Sequence, residues 1–154
     1  MCDAEKMPFR ESGFDIILCR YVLHHFPDPI PILEECEKIL KKGGKIVIVE
    51  SNGSNFINKF IRTFVRHLFT DRLVMGTGIA TPNEVVHSAI TYTKFLTDQG
   101  FLIAKVKSWH PERTLRIRSI LDLLIVIREF FFKMTMILPQ PYCGDKLLII
   151  AYKR

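Results

Sequence analysis

The densest run of chemically able side chains in this 154-residue chain is Arg20-Tyr21-Val22-Leu23-His24-His25-Phe26-Pro27-Asp28. It directly follows the apolar stretch Phe14 to Cys19, so two imidazoles, a phenol and charged groups stand where an apolar element ends. Adjacent histidines hold a metal only when a third donor is suitably spaced, and none is here. Otherwise such residues pack or order a loop. The four cysteines, Cys2, Cys19, Cys36 and Cys143, lie far apart without a C-x-x-C pair, which suggests neither a zinc knuckle nor a disulfide framework. They read as reduced thiols of a cytoplasmic protein, and the start has no charged segment followed by an apolar run as a signal peptide would.

The elements that must position these groups follow from periodicity. FDIILC (14 to 19) is too short for a helix and isoleucine-rich, so it is expected as a strand buried on both faces, as in parallel sheets. Prolines 27, 29 and 31 forbid regular structure until Pro31, a good first-turn residue. A helix should follow, with Ile32, Leu33, Cys36, Ile39 and Leu40 on one stripe, Lys41 and Lys42 at the negative end of its dipole, and Gly43-Gly44 as its left-handed stop. KIVIVES (45 to 51) is the next buried strand. Strand, helix and strand in so short a span make a βαβ unit, so the fold class is α/β.

Further on, 56 to 69 reads as a basic amphipathic helix with Asn55 as N-cap. Thr81-Pro82-Asn83-Glu84 carries a capping box, which predicts a helix from there to Gln99, stopped by Gly100. Phe101 to Trp109 and the C-terminal GDKLLIIAYKR are the remaining strands. Residues 117 to 138 form a largely apolar helix with Arg118, Asp122, Glu129 and Lys133 in one narrow sector. Its uninterrupted apolar runs are far below the ~20 residues of a transmembrane span, so it is buried or lies at a lipid interface.

Of the net charge of +6, residues 59 to 118 contribute most, with ten basic and four acidic side chains. A solvated basic surface, an anionic substrate or an anionic membrane surface would account for this. Nucleic acid ranks last, because no run interleaves Lys or Arg with aromatics.

The stretch DAEKMPFRESGFDIILCRYVLHHFPDPIPILEECEKILKKGGKIVIVE (3 to 50) resembles the second half of the class I S-adenosylmethionine-dependent methyltransferases, in particular the small-molecule "type 11"-like group. The resemblance implies a partial doubly wound, Rossmann-like sheet, a single incomplete methyltransferase domain over 1–154, and variable helical cover segments at 56–80 and 110–143. It implies S-adenosylmethionine as cofactor, with weak or no binding by this chain alone. The family's glycine-rich turn has no counterpart here: the sequence contains no G-x-G-x-G, and Gly76-Thr-Gly78 lies in the wrong place. The chain is thus expected to start near the end of the family's third strand, as a truncated, split or mis-started product.

By the same resemblance Asp3, with Ala4 beside it, matches the acid that accepts from the adenine amino group. Arg20 and Tyr21 match the rim along which the methionine part lies. His24, His25, Glu50 and Asn52 fall on the substrate side; for His24 and His25 a packing role, and for Glu50 and Asn52 a plain strand end, stay open. No catalytic residue is assigned, since methyl transfer from a sulfonium mainly needs in-line positioning and a dry pocket. The acceptor is expected to be a small molecule, apolar or lipid-like, with the basic and apolar helices as its cover. The alternative is an inactive remnant or interaction module that pairs with another chain, or with itself, through an exposed sheet edge. A fragment of a nucleotide-dependent oxidoreductase is a weaker third reading.

Overall fold

A computed structural model describes residues 3–56, 85–110, 126, 130 and 133–154. Among them is one four-stranded sheet in the order β1-β2-β4-β3, where β1 is Phe14–Arg20, β2 Leu40–Ser51, β3 Leu102–Trp109 and β4 Lys146–Tyr152. β1 and β2 run parallel, joined by α1 (Ile30–Ile39), which is the anticipated βαβ unit. β4 is antiparallel to both β2 and β3. The carboxyl ends of β1, β2 and β3 and the start of β4 therefore meet at one end of the sheet.

Both helices pack on the same face. α1 buries Ile32, Leu33, Cys36 and Ile39, and α2 (Ala89–Asp98) buries Ala89, Tyr92, Phe95 and Leu96. Beneath them lie Cys19 of β1, Ile46 and Ile48 of β2, and Leu147, Ile149 and Ala151 of β4. The register places Cys19 opposite Ile48 and Ile48 opposite Ile149, so one continuous row of apolar side chains crosses three strands. Alternation puts Glu50 on that same face.

The other face differs from expectation. β1 is buried on one side only: Ile16 is 55% and Leu18 60% exposed, against 5% for Cys19. As an outer strand β1 pairs only with β2 among the described residues, and α1 covers just its Ile17 and Cys19 side. An apolar run reports β-structure, but not how many layers enclose it.

The end of α1 also departs from the sequence reading. The helix stops at Ile39 and Leu40 is already extended (φ −81°, ψ 131°), so Gly43-Gly44 is not the helix stop. Gly43 instead takes φ +77° where the pairing of β1 with β2 jumps from Phe14–Leu40 to Ile16–Lys45, and its amide donates to the Lys153 carbonyl (2.8 Å). The cation at the helix's carbonyl end is Lys153, whose Nζ donates to the carbonyls of Glu37 (2.6 Å) and Leu40 (3.1 Å). Lys41 turns to Asp15 (2.8 Å) instead, and Lys42 is exposed.

Residues 85 to 88 are not helical, so the helix expected to reach Gln99 is seen only from Ala89. Ser88, extended at ψ 158°, accepts from the Thr91 amide as its cap, and Gly100 ends the element at φ +78°. Thr81 to Glu84 lie outside the described residues, as does most of the helices expected at 56–69 and 117–138. Of these, Phe56, Val126, Phe130 and Lys133 to Thr135 are helical, whereas Met136 to Leu138 form a turn and a bend. In β3 a register shift between Ile103 and Lys105 resets the alternation, so Ile103 and Val106 both reach the core. No helix among the described residues is long and apolar enough to cross a membrane.

Gly43 and Gly144 separate two costs of replacing glycine. Both have positive φ, but an added Cβ meets nothing at Gly43 and collides with the Trp109 backbone at Gly144. Gly43→Ala should cost about 1 kcal/mol and Gly144→Ala about 3 kcal/mol or more, read from urea midpoints.

Candidate functional site at the carboxyl end of the sheet

After Arg20 the chain turns sharply. Tyr21 has φ +51°, uncommon for a residue with a side chain, and its amide donates to the Val49 carbonyl at 2.9 Å. Two cations approach its ring, the Arg20 guanidinium carbon at 5.8 Å and Lys146 Nζ at 4.7 Å from the centroid. A short 3-10 turn, Leu23–His25, follows and carries both histidines.

Glu50 holds that turn. The residue is 0% exposed, and its Oε1 accepts from the amides of Val22 and Leu23, each at 2.8 Å. Its Oε2 is 2.7 Å from His24 Nδ1. Three donors converge on one carboxylate, which is how a buried charge avoids most of its desolvation cost. The His25 ring lies against His24, tilted by 38° with 4.1 Å between centroids. Two links to the segment entering α2 complete the loop: the Val85 amide donates to the His24 carbonyl (2.8 Å), and His87 Nε2 donates to the Phe26 carbonyl (3.0 Å).

Beneath Glu50 is Tyr92 of α2, also 0% exposed, whose hydroxyl has no hydrogen-bond partner among the described residues. Burial first, then the charge of Glu50, push its ionisation far above the ordinary phenol value. The Cys19 thiol is likewise pushed up, by its contact with Cys36 (4.0 Å) and by burial, so both stay protonated.

Asn52 belongs to a second buried polar group at the same end. Its Nδ2 donates to the carbonyls of Pro141 (2.7 Å) and Cys143 (2.9 Å), and its Oδ1 accepts from the Ser54 amide (3.0 Å). Asn55 Nδ2 donates to Thr135 Oγ1 (3.0 Å) and to the Gly144 carbonyl (2.8 Å). His110 Nδ1 meets Asp145 Oδ1 at 3.1 Å, and Ser108 pairs with Gln140 through backbone and side chain. This group joins the end of β2, the end of β3 and the strap before β4.

The structure thus brings Arg20, Tyr21, His24, His25, Glu50 and Asn52 to one end of the sheet. Glu50 and Asn52 are wholly buried and hold neighbouring backbone. Asp3 is exposed; its Oδ1 accepts from the Glu5 amide (2.9 Å), and Ala4 packs on the core. Met7, whose amide donates to Glu35 Oε2 (3.1 Å), tethers this segment to α1. Sequence reading missed the roles of Tyr92, His110, Ser108, Gln140 and Asp145. The partners of the last four lie tens of residues away, and only the alternation of β2, which puts Glu50 in the Ile46-Ile48 row, carried a signal. Among the described residues no cluster of three His, Cys, Asp or Glu could hold a metal ion.

Residues 1–48 match the family described as "Methyltransferase domain". Over 65 residues the chain is 37% identical to the uncharacterized methyltransferase YcgJ of Bacillus subtilis (strain 168), an alignment spanning 42% of this chain and 25% of the relative. The aligned stretches thus span only about a quarter of the curated relatives' length. Solved structures share the fold across nearly the whole chain. An S-adenosylmethionine-dependent methyltransferase from Archaeoglobus fulgidus has a TM-score of 0.60 at 20% identity, covering 99% of this chain and 66% of its own. Geranyl diphosphate C-methyltransferase from Streptomyces coelicolor A3(2), solved with Mg2+, geranyl diphosphate and S-adenosyl-L-homocysteine, has a TM-score of 0.62 at 13% identity, covering 99% and 52%.

Removing the Tyr92 hydroxyl tests the packing under Glu50. Tyr92→Phe should raise stability by about 1 kcal/mol, seen as a higher urea midpoint at unchanged slope. A lowered midpoint would mean that the hydroxyl is satisfied in solution.

Proposed function

We propose, from the match of residues 1–48 to the methyltransferase-domain family, that the chain supplies the acceptor-side half of an S-adenosylmethionine-dependent methyltransferase. The observation that carries this reading is the family match ending on the same strand whose Glu50 orders the His24 turn. The cofactor brings the activated methyl group; the chain contributes surfaces that bind, orient and exclude water. Asp3 and Ala4 would lie at the adenine, Arg20 and Tyr21 along the rim. An exposed carboxylate and an aromatic at a strand's carboxyl end suit those roles. His24, His25, Glu50 and Asn52 would form or support the acceptor side.

The cradle for the amino-acid tail is a different matter, because no glycine-rich turn exists in this sequence. We therefore assign it to polypeptide beyond these 154 residues, docked along the outer edge of β1. The outer place of β1, which pairs only with β2 among the described residues, and the exposed Ile16 and Leu18 on its uncovered face support that reading. The same edge equally favours the second reading, an inactive module that pairs with another chain.

Calorimetric titration with S-adenosylmethionine separates them. The chain alone should bind no more tightly than about 1 mM, and the chain joined to the glycine-rich N-terminal half of a family member should bind at least about a hundredfold tighter. No binding by the longer product would favour the inactive module.

The acceptor is proposed to be small and apolar or lipid-like, taken up from an anionic membrane surface by a protein that otherwise resides in the cytoplasm. The basic stretch 56–69 and the apolar stretch 117–138 support this, as does a structural relative solved with geranyl diphosphate. Liposomes containing anionic lipid should float the chain, and deleting either stretch should abolish flotation. An unfloated intact chain would refute membrane uptake.

A further inference from the structure

α1 and α2 both pack on one face of the sheet, and no other described helix covers the second face. Strand register fixes which side chains that face presents. Val47 and Val49 of β2 stand beside Ile150 and Leu148 of β4, and Leu18 of β1 stands beside Val47, so the middle is apolar. Cations ring it. Arg20 flanks Val49 on the β1 side, Lys105 and Lys107 flank Ile150 and Leu148 on the β3 side, and Lys45 and Lys146 occupy the two ends. No Asp or Glu at the paired positions shares the face. Arg20, Lys45, Lys105 and Lys107 have no acidic partner among the described residues.

We propose that this face docks an acidic amphipathic helix of a second, different polypeptide. Its apolar stripe lies on Val47, Val49, Leu148 and Ile150, and its Asp or Glu shoulders meet Arg20 on one side and Lys105 and Lys107 on the other. Charge selects this occupant. A second copy of the face would set cation against cation, which disfavours self-pairing. The chain's own stretches 57–84 and 111–132 are themselves net positive in sequence, so they match the ring poorly. With Leu18 the floor spans three strands, about 10 Å, the diameter of one helix. The valines are shorter than the Lys and Arg stems around them, so a flat lipid surface meets the charges first, whereas the side chains of a helix reach the floor. The inference concerns a face rather than the carboxyl end of the sheet, and it does not rest on the methyltransferase reading.

Two helix-forming peptides of about 18 residues test it on the full chain by fluorescence anisotropy. Both carry a leucine stripe; one has glutamate shoulders, and the other has lysine in place of every glutamate. The acidic peptide should bind at least about tenfold tighter than the basic one, and should weaken at least about threefold when salt rises from about 0.1 M to about 0.5 M. Lys105→Glu combined with Lys107→Glu should weaken the acidic peptide at least about tenfold. Lys94→Glu, on exposed α2 surface away from this face, should leave it unchanged. In methyl spectra the signals of Val47, Val49, Leu148 and Ile150 should shift on binding, while those of Ile32 and Leu33 under α1 stay in place. Equal binding of the two peptides, an equal loss in Lys94→Glu, or shifts confined to the helical face overturn the inference. Three further results overturn it by naming another occupant. A dimer that dissociates in Leu18→Asp assigns the face to a second copy. Displacement of the acidic peptide by phosphatidylglycerol vesicles assigns it to a bilayer. Shielding of the four methyl groups from a soluble paramagnetic probe in the free chain assigns it to the chain's own stretches.

Discussion

The turn that follows β1 at the carboxyl end of this sheet hangs on one buried carboxylate. Glu50 closes β2 inside the apolar row that begins with Ile46 and Ile48, and its three donors come from the turn that follows β1. An isolated carboxylate there would be expensive, and a hydrogen-bonded one is not. The consequence is mutual: the turn has its sharp entry at Tyr21 because Glu50 receives its amides, and Glu50 tolerates full burial because the turn is there. The parallel pairing of β1 with β2 puts both within reach, so the register of two strands decides where the histidines sit.

The second polar group does for the opposite half of that end what Glu50 does for the turn. Asn52 and Asn55 receive the strap that leads into β4, while Ser108 and His110 fasten it to β3. Two residues apart, Glu50 near the end of β2 and Asn52 just beyond it thus hold opposite flanks.

Much of this was legible in the sequence because it is local. The stripe Ile32, Leu33, Cys36 and Ile39 is buried as its spacing demands, and the isoleucine-rich runs became strands. The motif from Asp3 to Glu50 carried the resemblance to methyltransferases, and residues 1–48 match a methyltransferase-domain family. What was not legible depends on partners distant in sequence: that Lys153 rather than Lys41 or Lys42 would meet the last carbonyls of α1, that Gly43 would serve a register jump, and that Ser88 would compete as a cap with the capping box upstream. Glu50 reads as an ordinary polar strand end until the alternation of β2 is laid against the core.

Hydrogen exchange at the Val22 and Leu23 amides probes that carboxylate most directly. If Glu50 holds the turn, these two amides exchange as slowly as those in the middle of β2, although they lie outside any strand. Exchange at the rate of an unprotected loop would show the carboxylate unbound to the turn, and the positioned His24 with it.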